Sequence, residues 1–109
     1  MVGLDVVCVY TDGSGTRVAG LPRASYGAHF PSRPHLDWSA ALPGRVQSAQ
    51  RAEVMAVCKA IELSPGPTRV VTDRQHVCIV MRRLPAGRIP TANADLWAYI
   101  LPHFPGSFL

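Results

Sequence analysis

Acidic residues are few in this chain, and lysine is almost absent. Its 109 residues include seven carboxylates against ten arginines and one lysine, for a net charge of +4. At 48% hydrophobic residues it is too apolar for a disordered tail, and it has no collagen-like repeat or coiled-coil pattern. No apolar run is long enough for a transmembrane helix. Because arginine pairs bidentately with phosphate, the charge balance fits a polyanionic partner.

The cysteines exclude two further classes of protein. The chain has three cysteines, an odd number, and no CxxC pair: Cys8, Cys58 and Cys78. Neither a zinc site nor a disulfide framework is therefore indicated. The first five residues lack the basic region of a secretory signal. We therefore expect three reduced thiols in an intracellular protein, nuclear or cytoplasmic, with residues 1–109 forming one small domain.

Hydrophobic periodicity predicts an α/β domain with the element order β-β-β-α-β-α-α. The clearest helix has an apolar stripe at Val54, Val57, Cys58 and Ile61 and a candidate N-cap at Ser48. A strand–helix–strand crossover should make the fourth strand parallel to the first, in a mixed sheet whose other strands are antiparallel. The predicted strands are 4–11, 24–30, 37–42 and 69–72, and the predicted helices are 48–64, 75–84 and one beginning near 93.

Three of the few carboxylates are expected to meet at one edge of this sheet. Asp12 follows the first predicted strand, Asp73 follows the fourth, and Glu53 lies at the flank of the buried helix stripe. Carboxylates that converge repel one another unless a cation lies between them, and hard oxygen ligands select Mg²⁺ or Mn²⁺. Two such ions activate water and stabilise a leaving oxygen, which indicates a metal-dependent nuclease.

Four short segments, taken in order, resemble the type 1 ribonuclease H family. They are YTDGS (10–14), QRAEV (50–54), VTDRQHV (71–77) and NADLW (93–97). The resemblance extends from Leu4 to about Ile100. It implies a ribonuclease H-like fold and an endonuclease that cuts the RNA strand of RNA–DNA hybrids by a two-metal-ion mechanism. The implied cofactor is a pair of Mg²⁺ ions, with Mn²⁺ as the alternative.

The resemblance also implies roles for individual residues. Three carboxylates match the family's catalytic metal ligands: Asp12, Glu53 and Asp73. Four residues match substrate-binding positions, beside the first metal or near RNA 2′-hydroxyls: Gly13, Ser14, Gln75 and Asn93.

The chain departs from the family pattern at several places. The family has a fourth carboxylate and a loop histidine after a fifth strand, but no acidic residue follows Asp95 here. Ala49 stands where the family often has Asn, and Arg74 stands where it commonly has Ser. We therefore expect a C-terminally incomplete domain without the final strand and helix, which a larger polypeptide or a partner supplies. The alternative function is an inactive remnant that binds nucleic acid, and a DNA-directed nuclease or integrase of the same superfold is a third.

The same residues also have simpler structural interpretations. Asp12-Gly13 is typical of a hairpin turn. Glu53 is a favourable anion near a helix N-terminus, and Asp73 is a candidate N-cap for the helix from Gln75. His76 is expected to be a partly exposed helical residue without a role in the site.

Overall fold

A four-stranded mixed sheet forms the centre of the computed structural model, which describes residues 6–103. The strands lie in the order β3-β2-β1-β4. β1 pairs antiparallel with β2 and parallel with β4, and β2 pairs antiparallel with β3, as the sequence predicted. Their bounds are Val7–Val18 (β1), Leu21–His29 (β2), Trp38–Ala41 (β3) and Thr68–Val71 (β4).

Three α-helices accompany the sheet, again in the predicted order. Ser48 caps the first of them, because its hydroxyl accepts a 3.1 Å hydrogen bond from the Arg51 N–H. No helix within residues 6–103 is both long and apolar enough to cross a bilayer. The helices are Ala49–Leu63 (α1), Gln75–Arg83 (α2) and Ala94–Ile100 (α3), with short 3₁₀ turns at Pro34–Leu36, Leu84–Ala86 and Leu101–His103.

The first hairpin differs from the prediction. β1 does not end before Asp12, since Asp12 pairs with Gly27 and the ladder continues to Val18. The turn lies instead at Ala19 and Gly20, which both have positive φ (52° and 78°). Residues 12–18 satisfy their backbone groups in the ladder, and a two-residue turn of positive φ matches the strand twist. The hairpin-turn interpretation of Asp12-Gly13 is therefore wrong, and residues 4–5 of the predicted strand lie outside the described residues.

Helix α1 is buried on two sides, which fixes its position. Ala52, Ala56 and Ala60 are fully buried where α1 packs on the sheet. Its other buried side, with Val54, Val57 and Cys58, joins a second cluster shared with α2 and α3. That cluster also holds Val77, Met81, Leu84, Trp97 and Ile100. The rigid helix therefore fixes the place of any residue near its N-terminus.

Candidate active site

Glu53 is a buried carboxylate near the start of α1. Its side chain is only 7% exposed, as its place at the flank of the apolar stripe predicted. The Arg74 Nε lies 2.9 Å from Glu53 Oε1, and the His76 Nδ1 lies 3.3 Å from Glu53 Oε2. Both carboxylate oxygens thus have a nitrogen partner, as a buried charge requires.

Gly13 lets α1 approach β1 closely enough to bring Glu53 to this edge. A Cβ at position 13 would lie 2.3 Å from the Glu53 backbone N and 2.5 Å from the Ala52 carbonyl carbon. Only glycine fits this contact. Gly13 therefore has a packing role, which the sequence analysis missed, and its predicted part in substrate binding stays a prediction. Asp12 precedes Gly13 directly, so its backbone lies next to this contact, whereas its side chain points to the opposite face of β1.

Asp12 and Asp73 each follow, by two residues, a residue of the parallel pair formed by β1 and β4. Tyr10 of β1 is in register with Val71 of β4, and each aspartate follows two residues later. Both are exposed, with Asp73 at 83%. Asp12 Oδ1 accepts a 3.0 Å hydrogen bond from the Gly13 N–H. The register thus brings the backbones of the two residues to the same end of the paired strands, although Asp12 lies within β1 and Asp73 lies beyond the end of β4.

Arg74 connects two of the three carboxylates. Besides its contact with Glu53, its Nε lies 3.6 Å from Asp73 Oδ1. Arg74, not Asp73, is the N-cap residue of α2, and no side chain caps that helix. The N-cap interpretation of Asp73 is therefore wrong. The sequence showed Arg74 only as a departure from the usual Ser, and no local pattern marked it as the partner of Glu53.

His76 is partly exposed, as predicted, but it has a role that the sequence analysis missed. Its ring contacts Glu53 through Nδ1. Its other nitrogen, Nε2, is buried and has no hydrogen-bond partner among the described residues. The signal for this contact is its position as the second residue of α2, three residues after Asp73.

The three carboxylates have the oxygen ligands that a hard divalent cation prefers, but their arrangement in this structure does not form a binding site for one. Asp12, Glu53 and Asp73 supply carboxylate oxygens, which Mg²⁺ and Mn²⁺ prefer. Within residues 6–103, however, no group of three His, Cys, Asp or Glu side chains is placed to hold a metal ion. The Arg74 guanidinium is instead the cation that Glu53 and Asp73 share.

Asn93 is tied to the protein by an arginine of α1. Its φ is +58°, and its Oδ1 accepts a 3.2 Å hydrogen bond from Arg51 Nη1. Arg51 also binds both carboxylate oxygens of Asp95, at 3.1 and 2.8 Å, which lowers the pKa of Asp95. Asp95 is thus a first-turn residue of α3, as its position indicated, and Asn93 makes no side-chain cap.

The remaining predicted substrate residues lie on the surface. The Ser14 hydroxyl is 2.9 Å from that of Ser25 across the β1–β2 ladder, and both are exposed. Gln75 is exposed at the first position of α2, next to Arg74. Both are accessible to a bound molecule, and their role stays a prediction.

A cavity of about 450 Å³ adjoins Asp12 on the sheet face that α1 leaves open. Tyr10, His29 and Trp38 contribute to its lining. The His29 Nδ1 lies 2.7 Å from Asp37 Oδ2, and Asp37 Oδ1 accepts a 2.7 Å hydrogen bond from a backbone N–H. The sequence analysis did not identify this pair, since the β1–β2 register brings His29 near Asp12.

Comparison with known proteins agrees with this geometry. The model of the RNase H family matches residues 5–97, which include all four sequence segments that carried the resemblance. The chain is also similar to the Pol polyprotein of Feline endogenous virus ECE1, at 41% identity over 68 residues. That similarity covers 62% of this chain but only 6% of the polyprotein, so the chain spans a small fraction of that relative. The extent of the family match, together with the mixed sheet it predicts, shows that the chain belongs to the RNase H family.

Proposed function

We propose that this domain is an endonuclease that hydrolyses the RNA strand of RNA–DNA hybrids. Membership of the RNase H family supports a nuclease of hybrids in general. The observation that supports the finer proposal is the buried carboxylate of Glu53 near the start of α1, paired with Arg74, which also reaches Asp73. A carboxylate is costly to bury unless it is paired, so a buried carboxylate close to a second one is a candidate functional group.

In this proposal Asp12, Glu53 and Asp73 are the catalytic residues and hold two Mg²⁺ ions, or Mn²⁺. When bound, such ions supply Lewis acidity for the attack of water on the phosphorus. The protein contributes the positions of the three carboxylates. Glu53 is held by the packed helix, Asp12 is held by its pairing with Gly27 of β2, and Asp73 follows the end of β4 by two residues.

Substrate contacts are assigned to the polar residues that surround this edge. Gln75 and Asn93 are proposed to meet RNA 2′-hydroxyls, and Gly13 and Ser14 to lie against the strand that is cut. Arginines at the end of α2 and just beyond it are exposed and offer phosphate contacts: Arg82, Arg83 and Arg88. An intracellular location and a larger polypeptide that supplies further elements belong to the same proposal.

A second function is favoured by one observation. Both oxygens of Glu53 are already paired, with Arg74 and His76, so this carboxylate is not free to bind another cation as it stands. A domain that stays in this state would bind nucleic acid through its basic surface without cleaving it.

Cleavage of a labelled RNA–DNA hybrid with Mn²⁺ or Mg²⁺ distinguishes the two functions. We expect cleavage of the RNA strand alone, with matched double-stranded DNA left intact. Asp12→Asn should lower the rate by roughly a hundredfold or more, as removal of one essential electrostatic group does. Glu62→Gln is the matched control, because that carboxylate is exposed and pairs with Lys59 of the same helix. A folded protein that binds the hybrid and never cleaves it would establish the non-catalytic function instead.

A further inference from the structure

Arg74 occupies the place that a metal ion would need. Its Nε lies 2.9 Å from Glu53 Oε1 and 3.6 Å from Asp73 Oδ1. Two of the three proposed ligands are thus held by one side chain of this chain. We propose that Arg74 is a built-in counter-ion that competes with divalent cations and must leave Glu53 before a metal binds. This inference rests on the proposed function, since it concerns the same carboxylates.

Burial makes Glu53 dependent on a positive partner. A carboxylate that is 7% exposed has lost most of its hydration, and an unpaired charge in that position is costly. In the metal-free protein Arg74 supplies the charge, with His76 as a second donor. A divalent cation at Glu53 offers a stronger charge at the same oxygens, so the two cations exclude each other there.

Arg74 is free to leave without unfolding its surroundings. Its side chain is 46% exposed, whereas its backbone N–H and its carbonyl are both held by hydrogen bonds. The Arg74 N–H donates to Thr72 Oγ1 at 3.1 Å, and its carbonyl accepts from the Cys78 N–H in the first turn of α2. The guanidinium therefore moves by side-chain rotation while β4 and α2 stay in place.

Metal affinity measured without substrate tests this competition. Mn²⁺ binding by the full chain is measured by calorimetry for the wild type, Arg74→Ser and Arg82→Ser. Arg82→Ser is the matched control, because it removes one exposed arginine charge from the far end of α2. Because Arg74→Ser removes the cation that competes for Glu53, the variant should bind Mn²⁺ about tenfold more tightly than wild type, a difference of about 1.4 kcal/mol. Arg82→Ser should differ little from wild type.

Melting temperatures supply a second readout, in which Arg74→Ser lowers the stability of the metal-free protein but increases the stabilisation by metal. Without metal, Arg74→Ser should melt below the wild type, because Glu53 keeps only His76 as a partner. With saturating Mn²⁺ the variant should gain more than the wild type gains, since its metal binding is tighter. Equal Mn²⁺ affinities for wild type and Arg74→Ser would overturn the inference. If Glu53→Gln still abolished binding in that case, the proposed metal-dependent nuclease would stand.

A measurement on the wild type covers the case in which the variants fail to fold. In a ¹⁵N–¹H spectrum, the Arg74 Nε–H signal should shift on titration with Mg²⁺ as the guanidinium leaves Glu53. A signal that stays unchanged at saturating Mg²⁺ would refute the competition. A folded wild type that binds neither ion at millimolar concentration would overturn both this inference and the metal-dependent nuclease.

Discussion

Replacing Gly13 with alanine should destabilise the domain far more than its small size change suggests. The added Cβ would lie 2.3 Å from the Glu53 N, whereas ordinary contact begins at 3.4 Å, so α1 and β1 must separate by about 1 Å. Both contacted atoms are backbone, and the helix is packed on two sides, so neither element yields easily. Overpacking of this kind costs about 3 kcal/mol. For a domain of this size that corresponds to a fall in melting temperature on the order of 15 °C.

Thermal unfolding followed by circular dichroism measures this loss, and two other glycines provide controls. At Gly15 the added Cβ would lie 3.1 Å from the Ala49 N, a mismatch of a few tenths of an ångström, so Gly15→Ala should cost ~1 kcal/mol or less. A Cβ added at Gly66 would have no atom of the described residues within 4 Å, apart from its chain neighbours. Gly66→Ala should therefore be neutral or slightly stabilising. If Gly13→Ala melted together with Gly15→Ala, the close helix–strand contact would be refuted.

Two further predictions concern ionisable groups. Burial raises the pKa of Cys58 to about 12. Iodoacetamide at about pH 8 should therefore leave Cys58 unmodified while the two partly exposed cysteines react. Mass spectrometry of the peptides measures the labelling, and rapid labelling of native Cys58 would contradict the prediction. The Phe30 N–H, followed by the His29 ring, holds the pKa of Asp37 below its usual range. Because the folded-state pKa is the lower one, this stabilisation is present above about pH 4 and is lost as the pH falls further. Urea unfolding of Asp37→Asn should therefore show a smaller loss of stability on acidification than the wild type, and parallel profiles would count against it.

The sequence predicted the elements better than it predicted the contacts between them. The stripe at Val54, Val57 and Cys58 defines α1 because a helical period is a property of neighbouring residues. The turn predicted at Asp12-Gly13 was wrong because these residues pair with β2, and that pairing with a segment distant in sequence outweighs the local turn preference. Asp12 and Asp73 were predicted as site residues from their positions relative to the strands, and Glu53 from its position at the flank of the helix stripe. Arg74 was not found as the partner of Glu53, since that ion pair depends on how α1 and the β4–α2 connection pack together.

The unequal lengths of β1 and β4 have a consequence for how the domain meets a long polymer. β1 has 12 residues and β4 has four, and their pairing runs only from Val7 to Tyr10 of β1. Beyond Tyr10, β4 no longer pairs with β1. The described part of the sheet therefore has a notch there, beside Asp12 of β1 and next to the residues that lead from β4 to Asp73. Lengthening β4 by two residues would turn this notch into continuous sheet and draw Asp73 into the ladder. The proposed function requires a phosphate backbone to reach the carboxylates from outside, and the short strand leaves this side of β1 unpaired beyond Tyr10.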